Sequence, residues 1–222
     1  KVKKVQKDFE ATHVRPQRLM KTLFTDEAYV KANVDEARLM RRLFDLACNM
    51  QSHDTDMQLY SLFTDEECYD LWSCNNLYWY LTHACSPVTD GLMPYREADL
   101  LRNILDRADA ALKEGKNQAT LRFGHESCLL PLVALLELNH YGESYPDVEK
   151  LSEQWRAYDI FPMASNVQFV FFHKKGSNDV LVKVLLNEKE AKLPVKTDVA
   201  PYYHWKDVES YYREKLDKYQ HI

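Results

Sequence analysis

The stretch that most limits what this chain can fold into is Leu121-Arg122-Phe123-Gly124-His125-Glu126-Ser127-Cys128-Leu129-Leu130-Pro131-Leu132. A short β-prone run, Ala119 to Phe123, ends on a glycine, a histidine and an acid, and an apolar helical pattern, Cys128 to Leu138, follows at once. A buried strand feeding directly into a helix is the unit of an α/β sheet. The junction carries an imidazole and a carboxylate to the carboxyl end of the strand and beside a helix N-terminus. In open α/β sheets ligands bind at that place, and helix N-termini favour anions.

Periodicity divides the rest. The first part is helical: Asn33-Val34-Asp35-Glu36 reads as a capping box ahead of a face formed by Leu39, Leu43, Leu46, Ala47 and Met50. Thr64-Asp65-Glu66-Glu67 is a second such start, before a long aromatic-rich helix through Leu71, Trp72, Leu77, Tyr78 and Leu81. After a loop at 86–91, the residues Leu100, Leu101, Ile104, Leu105, Ala108, Ala111 and Leu112 form the clearest amphipathic pattern, with Gly115 placed to terminate it. From 119 the period changes. Asn166 to Lys174 and Asp179 to Leu186 are strand-like, joined by a three-residue hairpin signal at Gly176-Ser177-Asn178, and His204 to Tyr219 is a terminal helix with Trp205, Val208, Tyr212 and Leu216 on one side. The expected organisation is a helical domain, residues 1–118, and part of an α/β domain, residues 119–222. Three strands, one of them reading as fully buried, require more sheet than the chain supplies, so partner strands are expected from elsewhere.

Composition removes several classes. Net charge is 29 − 34 = −5, which gives no reason to expect nucleic-acid binding. The basic opening of Lys1, Lys3, Lys4 and Lys7 reads as a solvated stretch, with a rim near an anionic substrate as the sharper alternative. The charged opening, Lys1 to Glu10, lacks the apolar run of a signal peptide, and the longest apolar stretch is too short for a membrane span. The five glycines are scattered, so neither a P-loop nor a dinucleotide fingerprint can be written. Cys68, Cys74, His83 and Cys85 lack the spacing of a structural zinc site, and no metal is expected. Five cysteines leave at least one thiol free or paired outside the chain. His140, His173, His204 and His221 show no partner pattern and read as surface or satisfied side chains, and Arg122 reads as a structurally paired arginine, with a phosphate contact as the alternative.

The motif around His125 resembles the C-terminal signature of the two-domain histidine acid phosphatases, whose strand ends in His-Asp or His-Ala-Glu. Leu71 to Leu81, Met93-Pro94-Tyr95 leading into Leu100 to Ile104, Val180 to Glu188 and Pro201 to Trp205 are similar to the inositol polyphosphate phosphatase and Bacteroides-type branch. The resemblance thus covers nearly the whole chain, and only the Gly-His-acid motif is specific. The family's Arg-His-Gly motif, which carries the nucleophilic histidine, has no match here. The resemblance therefore implies the C-terminal portion of a histidine-phosphatase α/β domain plus its helical domain, lacking the N-terminal half of the sheet domain.

It further implies a phosphomonoesterase with a phosphohistidine intermediate, no cofactor, and a phytate-like or other phosphorylated small-molecule substrate. The enzyme's location would be periplasmic or secreted. His125 would bind the phosphoryl oxygens. Aligned on His-Asp, Glu126 is the proton donor; aligned on His-Ala-Glu, Ser127 takes the acid's place. The first alignment keeps a carboxylate and is preferred, with Ser127 as a further substrate-binding residue. Alone, the chain is expected to be inactive. The competing class is a non-catalytic helical binding or scaffold domain.

Overall fold

The computed structural model describes residues 1–116 and 118–219, so the expectation for His221 lies outside the described residues. The chain divides into two compact units, Lys1–Tyr78 and Trp79–Ile222.

The first unit is helical: α1 (Val2–His13), α2 (Gln17–Leu23), α3 (Glu27–Asn33), α4 (Glu36–Asn49) and most of α5 (Asp65–His83). Leu19, Met20, Val30, Met40, Ala47, Phe63 and Leu71 form its core. The box at Thr64 forms reciprocally: the Glu67 amide donates to Thr64 Oγ1 at 3.2 Å and the Thr64 amide to Glu67 Oε2 at 3.0 Å. The box expected at Asn33 does not. The cap is Asp35, which accepts from the Arg38 amide at 3.1 Å, because Asn33 is consumed as the last residue of α3. Leu46, placed on the buried face by periodicity, is 52% exposed, and Met40 is buried instead.

The second unit contains the end of α5, α6 (Ala98–Glu114), α7 (Glu126–Leu135), the short α8 (Leu151–Gln154) and α9 (Ala157–Ile160), four strands and α10 (Trp205–Tyr219). Gly115 ends α6 in the left-handed conformation at φ 64°. The compact units part inside α5, earlier than the 118/119 boundary that the change of period suggests. Helix α6 is tied to α10 rather than standing with the first helices. Trp205 Nε1 donates to Asp109 at 2.8 Å, and Arg213 reaches Asp106 at 2.9 Å and Asp109 at 2.8 Å.

β1 (Val167–His173) and β2 (Val180–Leu186) pair antiparallel, from Val167 opposite Leu186 to His173 opposite Val180. β3 (Lys189–Glu190) and β4 (Tyr203–His204) both pair with the other edge of β2. Val182, Val184 and Leu186 are buried in strict alternation, as the pleat requires, and α10 packs on β2 through its buried stripe of Trp205, Val208, Tyr212 and Leu216. The hairpin is longer than expected. Residues 174–179 separate the strands, with Gly176 at φ 81° and the Ser177 amide donating to Lys174 O at 3.0 Å. Among the described residues, the outer edge of β1 has no partner strand.

The expected strand at 119–123 is the main correction. The segment belongs to no helix or strand and joins no ladder, and Leu121 and Phe123 are 75% and 93% exposed. A β conformation is held by inter-strand hydrogen bonds, and no described strand lies alongside to supply them.

Candidate active site

The motif sits where the 118–124 segment meets α7. His125 is the N-cap residue, with extended backbone at φ −108° and ψ 164°, and its carbonyl accepts from the amides of Cys128 and Leu129. Its ring makes no capping hydrogen bond. Glu126 is the first helical residue. Both side chains are exposed, and Ser127 is half-buried. This follows from the local sequence: Gly124 and His125 leave the helix unstarted, and the apolar run from Leu129 buries one helix end. Leu130 to Leu135 are all buried, which orients the N-terminus outward.

The far end of α7 is clamped by α10. Tyr212 donates its hydroxyl to Leu136 O at 2.7 Å and Lys215 Nζ donates to Leu135 O at 2.7 Å. Tyr211 donates to the Glu137 carboxylate, whose residue turns the chain in the left-handed conformation at φ 53°. These bonds satisfy the carbonyls that a helix C-terminus leaves open, and so fix the helix that carries the motif.

His125, Glu126 and Cys128 line a cleft of about 2100 Å³. Its other walls are α6, the 118–124 segment, β1 and the 174–179 turn. The amphipathic stripe of α6 is split by it. Leu101 and Leu105 are fully buried, whereas Leu100, Ile104 and Ala108 face the cleft. Arg122 Nη2 donates to Asn103 Oδ1 at 2.7 Å, tying the 118–124 segment to α6 in the structural role read for it.

Three residues near the motif were not legible beforehand as part of it. The 3-10 turn Met93–Glu97 packs against α7, with Glu97 beside Cys128 of its first turn and the Arg96 charge acting on both Glu97 and His83. The Glu97 carboxyl is held above its ordinary range, mainly by burial, against the pull of Arg96 and of a hydrogen bond with the Cys128 thiol. His83, at the end of α5, is 7% exposed, and its ring lies 4.8 Å from that of Trp79. Burial lowers its pKa, Arg96 adds to this, and Glu126 opposes both. No local pattern marks these positions, because the turn and the α5 terminus reach α7 only through tertiary packing.

Two of the described histidines away from the motif are held by hydrogen bonds. His173 Nε2 is 2.9 Å from Ser177 O. His204 donates from Nδ1 to Asp179 at 3.0 Å and from Nε2 to Asp198 at 2.9 Å. Both nitrogens donating requires an imidazolium, and these bonds, Asp179 first, push its pKa up to about 9. Among the described residues, no group of three or more His, Cys, Asp or Glu could hold a metal ion, and no helix is long and apolar enough to cross a membrane.

Residues 1–187 match the family model for the histidine phosphatase superfamily, branch 2. Among curated proteins, human multiple inositol polyphosphate phosphatase 1 is 28% identical over 134 residues, covering 54% of this chain and 27% of its own. Among solved structures, the Bifidobacterium longum multiple inositol polyphosphate phosphatase is similar in fold. In its phosphate complex the TM-score is 0.70 at 21% identity over 82% of this chain, and in its inositol hexasulfate complex it is 0.65 at 22% over 79%. The chain spans only 38–40% of those structures' length and about a quarter of the human protein's.

Proposed function

This chain belongs to branch 2 of the histidine phosphatase superfamily, and from that membership we propose that it is the C-terminal portion of a phosphomonoesterase acting through a phosphohistidine. A complementary half bearing an Arg-His-Gly motif supplies the nucleophile. The observation that carries the reading is the His125–Glu126 pair at the start of α7, in the wall of a cleft far larger than a ligand pocket. Small-molecule sites run to roughly 300–1,000 Å³. A cleft of about 2100 Å³ bordered by a sheet edge that no described strand pairs has room for polypeptide as well as substrate. The exposed Leu121 and Phe123 support the same conclusion, since apolar side chains at such exposure favour a covering partner.

In the completed site the phosphoryl group passes from the substrate oxygen to the nucleophilic histidine. His125 binds the phosphoryl oxygens, assisted by the positive end of the α7 dipole and by Ser127 beside it. The protonated Glu126 carboxyl gives its proton to the departing alcohol. Water then attacks the phosphohistidine, and the Glu126 carboxylate takes the water's proton as phosphate leaves. The substrate is phytate or another phosphorylated metabolite. Support for this choice is the inositol polyphosphate activity in the name of the human relative and the inositol hexasulfate bound by the Bifidobacterium longum protein. A periplasmic or secreted location accords with the family resemblance.

The test is made on the full-length enzyme. Glu126→Gln should slow phytate or another alkyl phosphate by roughly 10²-fold or more, the usual worth of a positioned general acid. It should slow nitrophenyl phosphate far less, because that leaving group departs unprotonated. His125→Ala should slow both. Equal losses on the two substrates for Glu126→Gln would refute the acid assignment, and a selective loss in Ser127→Ala with Glu126→Gln silent would move the acid elsewhere. Residues 1–222 alone should release no phosphate.

A further inference from the structure

The corner where β4 runs into α10 joins two distant segments through one imidazole. His204 Nδ1 lies 3.0 and 3.1 Å from the two carboxylate oxygens of Asp179, and Nε2 lies 2.9 Å from Asp198. Asp179 closes the 174–179 turn between β1 and β2, and Asp198 belongs to the loop that leads into β4. That loop is anchored to the sheet, because Thr197 Oγ1 donates to Tyr202 O at 2.7 Å and the Tyr202 ring packs edge-on to Phe172 of β1, ring centres 5.1 Å apart. The turn has no such anchor. Its other bonds run from the Ser177 amide to Lys174 O at 3.0 Å, from the Asp179 amide to Ser177 Oγ at 3.0 Å, and between His173 Nε2 and Ser177 O at 2.9 Å. All of these stay within the hairpin. Among the described residues, the bonds between His204 and Asp179 are the ones that tie the turn to the rest of the fold.

Both acceptors are carboxylates, so both ring nitrogens must donate, and only the imidazolium carries two N–H groups. A neutral ring would turn a lone pair toward one of the two carboxylates, and that contact would change from attraction to repulsion. The other charged groups at this corner do not replace it. Lys183 of β2 pairs with Glu190 at 2.8 Å. Lys206 and Asp207, at the start of α10, are exposed, and among the described residues Asp207 makes no ion pair with the ring. Lys174 and Lys175 of the turn and Lys196 of the loop are likewise exposed. His173, at the end of β1, engages the turn from the other side through Ser177 O.

We propose that Asp179, His204 and Asp198 form a proton-dependent latch: the doubly protonated ring holds the 174–179 turn against the β4–α10 corner, and loss of one proton frees the turn. The turn contributes Lys174, Ser177, Asn178 and Asp179 to the wall of the cleft, so the latch sets the shape of that wall. The two carboxylates, Asp179 first, push the imidazole pKa up to about 9, against an ordinary value near 6.5. Raised in the closed form, it gives a hold that is complete below about pH 6.5, weakens as pH rises and is lost as pH passes through about 9. At neutral and acidic pH the wall is fixed. In alkaline solution it loosens while the rest of the unit stays folded. This inference does not depend on the proposed phosphatase activity.

The test is amide hydrogen exchange on the intact chain from about pH 6 to about pH 10, each rate divided by the intrinsic rate at that pH. The Ser177 and Asp179 amides, which close the turn, are the reporters. Their protection should fall roughly tenfold or more between about pH 6.5 and 9 and then level off, while the amides of α10 keep theirs. The His204 ring, followed by NMR, should titrate near pH 9. His204→Gln should show the loosened turn at every pH, without the step. Asp179→Asn, which leaves the ring in place beside Asp198, should move the step to lower pH and shrink it, and His173→Gln should leave it intact. A step of equal size in His204→Gln and the wild type, an unshifted step in Asp179→Asn, a step abolished by His173→Gln, pH-independent protection in the wild type, or a His204 ring titrating near its ordinary value would overturn the proposal.

Discussion

Removing one hydroxyl from Tyr212 should measure how firmly α7, and the motif at its start, is held. Tyr212 is fully buried, and its hydroxyl donates at 2.7 Å to the carbonyl of Leu136, itself fully buried. Burial pushes the phenol well above its ordinary range, so it is a neutral donor at every working pH. Tyr212→Phe keeps the ring and its packing but leaves a buried carbonyl with no water within reach. Leaving such an acceptor unsatisfied costs about 1–3 kcal/mol. For a chain of this size 1 kcal/mol corresponds to roughly 2–4 °C in melting temperature, so a drop of about 2–12 °C is expected. Calorimetry on the wild type and Tyr212→Phe provides the number, and hydrogen exchange provides its location: amides of 130–136 should exchange faster, with those of α4 unchanged. A melting temperature within a degree of wild type would refute the reasoning. It would mean that the helix end relaxes to find another donor and that the clamp does not fix α7.

Two further outcomes follow from single positions. His204 is charged in the fold because carboxylates hold its pKa at about 9, against an ordinary value near 6.5. Its contribution is therefore complete below about pH 6.5 and is lost as pH rises through about 9; melting temperature should fall over that interval in the wild type and less in His204→Gln, and parallel curves would contradict this. An added methyl at Gly142 would lie 2.5 Å from Glu137 Cγ and 3.0 Å from its Cα. Gly142→Ala should cost about 1–3 kcal/mol, as overpacking does, with urea denaturation as the measure and an unchanged midpoint as the contrary result.

Much was readable from the sequence wherever short-range interactions set the outcome. The reciprocal box of Thr64 and Glu67, the left-handed stop at Gly115, the alternation along β2 and the buried stripe of α10 all depend on residues within a few positions of one another. The Gly-His-acid junction was legible for the same reason: a helix start and its flanking residues are local. Tertiary structure decided the rest. Residues 119–123 have the composition of a strand, but a strand exists only beside a partner, and here the segment stays unpaired by any described strand and exposed. Helix α6 was expected to stand with the first helices, yet Asp106 and Asp109 join it to Arg213 and Trp205 about a hundred positions later. His83, Arg96 and Glu97 meet the motif, and Asp179 and Asp198 charge His204, only because distant elements fold together. Period and capping are written in neighbouring residues, whereas the free energy of pairing, burial and charge depends on which surfaces the completed fold brings into contact.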